Sequence, residues 1–168
     1  MEAQRAGFPN LEMNPAPGYD SRMPHDMMHL VVEAQLGLTK GIYGQLAAGG
    51  TAGTFHLAVT NAESSREVTR ARKRVRARGK KLMSRGRDDC AESERATFIC
   101  WNEWQARSSS KQSKGASNSV LSQGKLDEIC EHLDHLSSRW STLGVGESMA
   151  VRWPDLAIVA SNCDATGH

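Results

Sequence analysis

The segment from residue 126 to residue 143 places large apolar side chains at intervals of three and four residues. These side chains are Leu126, Ile129, Leu133, Leu136, Trp140 and Leu143. The spacing predicts an amphipathic helix, because residues three and four apart lie on the same face of a helix. Burial of the whole set contributes roughly 10–15 kcal/mol before the loss of conformational entropy. This segment must therefore pack firmly against other elements, and it constrains the fold more than any other part of the chain.

Three further segments are typical of helices. Residues 25–36 follow Pro24, which suits the first turn of a helix, and precede Gly37, which suits a left-handed C-terminal cap. Residues 65–84 carry a narrow apolar stripe among Lys and Arg residues. Residues 89–107 carry a wide apolar arc that includes two tryptophans, so most of this helix must be covered by other elements.

The segment around residues 149–153 alternates apolar side chains with period two and stops at Pro154, as a short edge strand does. Its pairing partner is predicted to be either the N-terminal segment or the piece around residues 55–59. We therefore expect a mostly helical α+β fold in which three to four packed helices are joined by a small edge β-sheet.

The domain organisation follows from composition. Residues 21–154 are predicted to form a single domain, in which the Ser-rich and Gly-rich stretch 108–123 is a flexible connection. Three prolines and two glycines predict an extended or disordered arm over residues 1–20, and residues 155–168 are predicted to be a loose tail.

Composition also excludes several classes of protein. The chain has 168 residues, of which 39% are hydrophobic and 24% charged, as in an ordinary globular domain. No apolar run is long enough to span a membrane, and no secretory signal is visible, so a cytoplasmic location is expected. The four cysteines form no CxxC pair, which argues against a zinc ribbon, and Cys100 and Cys130 are expected to be buried.

The first predicted helix carries a group of residues that resembles site chemistry: His25, Asp26, His29 and Glu33. Residues 25 and 29 lie one turn apart on one face, which is how HExxH helices offer two imidazoles to one zinc ion. Asp26 replaces the glutamate of that motif, and its shorter side chain makes metalloprotease chemistry doubtful. Glu33 is too far from His25 to share its ion and fits better as a residue that orients His29.

A metal site needs a third ligand, and three histidines elsewhere are candidates. His56 follows a glycine-rich loop and is best placed by chain order, while His132 and His135 are alternatives. The predicted metal site therefore comprises His25, His29 and His56, with a divalent ion such as zinc as the cofactor.

Two other interpretations of this helix remain open. The histidines can serve acid–base chemistry without a metal. Alternatively, the helix has no ligand at all: Asp26 favours the helix N-terminus through the macrodipole, and His29 with Glu33 forms an ordinary pair at i and i+4. Under this last interpretation the histidines are hydrogen-bonded residues of a buried surface.

The run PHDMMHLVVEAQLGLTKGIYGQLAAGG, residues 24–50, resembles a group of small uncharacterised bacterial proteins that share a PHDxxHxxVE-type helix followed by a Gly-rich loop. The later segments CWNEW and GESMAVRWP are similar to the corresponding parts of that group. The resemblance covers about residues 18–154 without the Ser-rich connection, and it implies a compact bacterial domain with no known activity. The Pro-rich stretch before Pro24 departs from the group and puts an N-terminal strand pair in doubt.

The second predicted helix is strongly basic. Residues 66–87 hold 11 Lys and Arg against Glu67 alone, so this segment carries a charge of +10 within a chain of net charge +2. Such a charge density attracts phosphate backbones or anionic lipid surfaces. The candidate contacts are Arg70, Arg72, Lys73, Arg74, Arg76, Arg78, Lys80 and Lys81.

Two observations limit what the basic segment can do. It contains no Asn, Gln or aromatic residue that could contact bases, so any binding of nucleic acid is expected to be non-specific. The acidic run Asp88, Asp89, Glu92 and Glu94 follows directly and could fold back to neutralise part of it. The alternatives are therefore a site on the first helix, a module that binds nucleic acid or another polyanion, and a structural or protein-interaction domain with no site.

Overall fold

The structure is a computed structural model that describes residues 1–14, 20–58, 65–108 and 121–159. Within these ranges the elements run in the order β1 (Glu2–Ala3), β2 (Leu11–Glu12), α1 (His25–Leu36), α2 (Ile42–Ala47), β3 (His56–Leu57), α3 (Ser65–Arg85), α4 (Arg87–Ser108), α5 (Gln123–Ser141), β4 (Ala150–Val151) and β5 (Ile158–Val159). The predicted mostly helical α+β fold is confirmed. The short helix α2 forms in the Gly-rich stretch after Gly37.

Helices α1, α4 and α5 pack against one another around the main core. The leucine spacing of the sequence is confirmed for its first four members, because Leu126, Ile129, Leu133 and Leu136 on α5 are all buried. The last two members, Trp140 and Leu143, are only partly buried, and Leu143 lies beyond the end of α5. Ser122 caps the N-terminus of α5. Its side chain accepts a hydrogen bond from the Lys125 amide, an N–H group of the first turn that has no partner within the helix. The buried members of this core are Met23, Met28, Leu30, Val31, Val32, Ala96, Cys100, Trp104, Leu126, Ile129, Cys130, Leu133, Leu136 and Leu156.

The first 14 residues belong to the packed structure. Strands β1, β2 and β3 form an antiparallel sheet in that order, with Leu11 of β2 opposite Leu57 of β3. Leu11 is fully buried, although the sequence predicted an extended or disordered arm over residues 1–20. The N-terminal strand pair that the Pro-rich sequence put in doubt is therefore present.

Long-range contacts explain why this segment is ordered. Arg5 Nη1 donates to the carbonyl oxygens of Leu46 and Gly50 at 3.1 and 2.8 Å. Beneath the sheet lies a second, smaller core that α2 and α3 complete. Its buried members are Leu11, Met13, Leu46, Phe55, Leu57 and Val75.

The predicted edge strand forms, but its partner differs from both predicted candidates. β4 pairs with β5, so Ala150 lies opposite Val159 and Val151 opposite Ile158. The two expected partners, the N-terminal segment and residues near His56, pair with each other instead. A hairpin between segments close in sequence costs less loop-closure entropy than a long-range pairing, and here it also buries Leu156 against the main core.

Parts of several sequence predictions lie outside the described residues. Residues 109–120 of the predicted flexible connection and residues 160–168 of the predicted tail are among them. The beginning of that tail, residues 155–159, includes β5.

A single residue, Gly86, separates α3 from α4. Its N–H donates to the carbonyl oxygen of Leu82 at 2.9 Å, and its carbonyl oxygen accepts from the Cys90 amide at 2.9 Å. A Cβ atom built on Gly86 would lie 2.2 Å from the backbone oxygen of Lys40, so no larger residue fits without a backbone shift. This glycine therefore lets the α3–α4 junction approach the loop between α1 and α2.

We expect Gly86→Ala to lower the free energy of unfolding by about 1–3 kcal/mol, the usual cost of overpacking a site that cannot relax. Urea denaturation followed by circular dichroism measures this. The matched control is Gly124→Ala on α5, where a Cβ atom meets nothing within 4 Å. Because alanine favours helix more than glycine by up to about 1 kcal/mol, the control should be as stable as the wild type or slightly more stable. Equal losses in both variants would contradict this assignment.

Candidate functional site

Helices α1 and α4 share a buried polar contact centred on His29. The imidazole is 3% exposed, and its Nδ1 lies 2.9 Å from Ser93 Oγ and 3.3 Å from Thr97 Oγ1. Ser93 and Thr97 are both buried and lie one turn apart on α4. The hydroxyl groups of α4 therefore fix the orientation of the imidazole.

Glu33 lies one turn after His29 on α1 and is fully buried. Its Oε1 accepts from the Ile42 amide at 2.8 Å and from Ser93 Oγ at 2.9 Å, and its Oε2 accepts from the Tyr43 amide at 2.9 Å. Burial raises the pKa of this carboxyl, and the three hydrogen bonds oppose that shift. A Cβ atom on Gly41 would lie 2.5 Å from Glu33 Cδ, so the glycine makes room for the carboxylate.

The hydrogen-bond donors determine where the imidazole proton resides. Ser93 has one hydroxyl proton, and its donation to Glu33 leaves the Ser93 oxygen to accept from His29 Nδ1–H. His29 Nε2 then carries a lone pair. Burial lowers the pKa of His29, the Glu94 carboxylate raises it and His25 lowers it.

His25 lies next to His29 Nε2, the ring nitrogen that carries the lone pair. The two Nε2 atoms are 3.2 Å apart, and the rings are nearly perpendicular, with an interplanar angle of 82°. Glu94 of α4 brings its Oε2 to 3.8 Å from His29 Nε2, and this side chain is 69% exposed. His25 is also exposed. The side chains of His25 and His29, here called the imidazole pair, therefore lie where the buried network reaches solvent.

The structure brings together two of the three predicted metal ligands. His25 and His29 are adjacent, whereas His56 lies on β3 opposite Glu12 and does not complete a metal-binding group with them. In the ranges that the structure describes, no group of three or more His, Cys, Asp or Glu side chains is arranged to hold a metal ion. Glu33 reaches His29 through Ser93 and not directly, so the expected i and i+4 pair has a hydroxyl between its members.

Sequence reasoning missed the residues that α4 contributes. Ser93 and Thr97 follow helical spacing, but a serine and a threonine on an amphipathic helix indicate no particular partner. Their contacts with His29 span 64 and 68 residues of sequence, a distance over which a local pattern carries no information.

The predicted basic helix forms as α3, and its apolar stripe faces inward. Val68, Val75 and Gly79 are buried against the rest of the molecule. The eight predicted cationic contacts are all exposed: Arg70, Arg72, Lys73, Arg74, Arg76, Arg78, Lys80 and Lys81. Two shallow depressions lie on this surface, and both are bordered by Lys73 and Ala77.

One of these cations, Arg78, makes contacts within the protein. The Arg78 guanidinium lies 4.7 Å from the centre of the Phe8 ring and donates to the Ala48 carbonyl oxygen at 3.4 Å. Arg78 therefore attaches α3 to the N-terminal segment. The basic face is defined here as the other seven exposed cations.

The acidic run does not neutralise the basic face within the described parts of the chain. Asp89 accepts from the Lys40 amide, Glu92 pairs with Arg95, and Glu94 approaches His29. Among the described residues, no ion pair within 4.0 Å joins a carboxylate to any cation of the basic face. The basic face thus presents its charge to solvent.

No family model, curated protein or solved structure matches this chain. In the part that the structure describes, no helix has the length and apolar character required to cross a membrane. Function is therefore inferred from the two regions described above, the imidazole pair and the basic face.

We expect Glu33→Gln to lower the free energy of unfolding by about 2–4 kcal/mol, because the amide loses a charged acceptor and places a donor against N–H and O–H donors. Thermal and urea denaturation measure the loss. The control is Glu128→Gln, which removes an exposed carboxylate paired with Lys125 on α5. Exposed pairs contribute at most about 1 kcal/mol, so the control should stay close to the wild type.

His29 also gives the protein a pH dependence. Its pKa is lower in the folded chain than the ordinary value of about 6.5, so the stability it contributes is present above that pH and is lost as the pH falls below it. We expect the free energy of unfolding to fall between about pH 7 and pH 5 in chelator-containing buffer, and to fall less in His29→Asn.

The raised pKa values of Glu33 and Asp26 act in the opposite direction, because they make the free energy of unfolding rise as the pH falls. Both carboxyls are present in the wild type and in His29→Asn, so the difference between these two proteins reports His29. His56→Gln, which removes an exposed imidazole on β3, is the matched control for the loss of one histidine. Identical pH dependence in wild type and His29→Asn would contradict the assignment.

Proposed function

We propose that the protein binds nucleic acid without sequence preference, through contacts between the basic face and phosphate groups. The observation that carries this proposal is that seven exposed cations lie on one 21-residue helix with no carboxylate within ion-pair distance among the described residues. Such a helix is about 30 Å long and matches about nine base pairs of duplex. The cytoplasmic location expected from the sequence would give the protein access to nucleic acid.

The orientation of α3 favours a nucleic acid over a lipid surface. Anionic lipids also attract a cationic helix, but an amphipathic helix that lies in a membrane interface gains much of its affinity by inserting an apolar face between the headgroups. Here Val68 and Val75 are buried within the protein, and the solvent side of α3 is charged. Phosphate contacts need only exposed cations, and Arg and Lys provide them.

The composition of α3 supports binding that ignores sequence. Residues 65–85 contain no Asn, Gln or aromatic residue. Arginine and lysine can contact guanine edges, but a helix whose contacts are mainly with phosphates gains affinity without discriminating between sequences.

The test measures fluorescence anisotropy of two unrelated 20-base-pair duplexes with the full chain at several salt concentrations. We expect affinities that agree within about threefold between the duplexes and fall steeply as salt rises from about 50 to 200 mM. Arg70→Gln/Lys73→Gln/Lys80→Gln should weaken binding at least tenfold and reduce the slope of log affinity against log salt by about 2–3.

The matched control, Arg95→Gln/Arg139→Gln/Arg152→Gln, removes three cations from segments other than α3 and gives the same change in net charge. It should bind duplex within about threefold of the wild type. No binding at about 50 mM salt, or equal losses in the two triple variants, would overturn the proposal. Binding to anionic vesicles without binding to duplex would identify a lipid surface instead.

A further inference from the structure

The imidazole pair has the spacing of two ligands on a single metal ion. Its Nε2 atoms are 3.2 Å apart, and two nitrogens bound tetrahedrally to Zn²⁺ at about 2.0–2.1 Å lie about 3.3 Å from each other. We propose that His25 and His29 bind a divalent transition-metal ion of the zinc class, with the Glu94 carboxylate as third ligand and water in the open position.

Glu94 must move to take part. Its Oε2 is 3.8 Å from His29 Nε2, and the described residues contain no preformed group of three ligands. The side chain is 69% exposed, so it can turn toward the ion without disturbing packing. A site of one buried, oriented imidazole, one exposed imidazole and one mobile carboxylate is open to solvent and binds its ion reversibly.

The buried network behind His29 is the support that metal-binding imidazoles generally have. A ligating histidine donates its second ring N–H to an oxygen acceptor, which fixes the ring and directs the other nitrogen at the ion. His29 Nδ1 is 2.9 Å from Ser93 Oγ, which in turn donates to the Glu33 carboxylate at 2.9 Å. The lone pair of His29 Nε2 consequently faces His25.

In the absence of an ion, an N–H···N hydrogen bond accounts for the same distance. His25 Nε2–H then donates to His29 Nε2, and the ion must displace this proton, which moves to His25 Nδ1 through solvent. Protonated imidazoles have no lone pair, so acid should weaken metal binding.

The test titrates the chelator-treated full chain with ZnCl₂ by calorimetry and with CoCl₂ by visible absorption. We expect one ion per chain and a Co²⁺ spectrum typical of nitrogen and oxygen ligands. His25→Gln and His29→Gln should each weaken binding at least tenfold, and Ser93→Ala about tenfold, the usual effect of losing the group behind a ligating imidazole. Glu94→Gln should weaken binding severalfold.

Two matched variants remove histidines that lie elsewhere, His56→Gln on β3 and His132→Gln on α5, and both should bind as the wild type does. Circular dichroism and urea denaturation in chelator identify any variant that fails to fold, and Glu94→Gln, at an exposed position, provides a test that does not depend on the buried network. No stoichiometric binding, or binding that survives His25→Gln or is lost in His132→Gln, overturns the proposal.

Discussion

The buried carboxylate of Glu33 is the interaction on which the arrangement of the helices depends. It belongs to α1, accepts both backbone N–H groups at the start of α2 and accepts the Ser93 hydroxyl of α4. One charged group thus joins the neighbouring helices α1 and α2 to α4, whose Ser93 lies 60 residues further along the chain. A carboxylate removed from water is stable only when donors surround it, so α1, α2 and α4 must adopt their relative positions together.

Polar and charged side chains are buried in one region of the molecule and exposed in the other. Glu33, His29, Ser93 and Thr97 are buried, and hydrogen bonds among them fix the orientation of their side chains. On α3 the cations are exposed, and Arg78 is held by its contact with the Phe8 ring. The hydrophobic stripe of α3 holds the helix in place, which leaves the charge of the basic face available for a partner.

Local patterns in the sequence predicted the helices well, because apolar spacing and capping residues report directly on helical geometry. The leucine spacing of α5 and the Pro24 and Gly37 ends of α1 are examples. The strand partners were not predictable, because a two-residue strand has almost no pattern and pairing depends on packing. In the candidate site, the adjacency of His25 and His29 was predictable, because the two residues lie one turn apart on a helix. The contact between Ser93 and His29 was not, because it depends on how α1 and α4 pack.

The single-residue junction at Gly86 ties the angular position of the basic face to the main core. Each residue turns a helix by about 100°, so one inserted or deleted residue between α3 and α4 would carry the whole cationic surface a quarter turn or more around its axis. Val75 would then leave its hydrophobic contacts, and arginines would point into the space beneath the sheet. The number of residues between the α3 cations and Gly86 therefore sets the direction in which the basic face points, and it is constrained more tightly than the choice of Arg or Lys at each position.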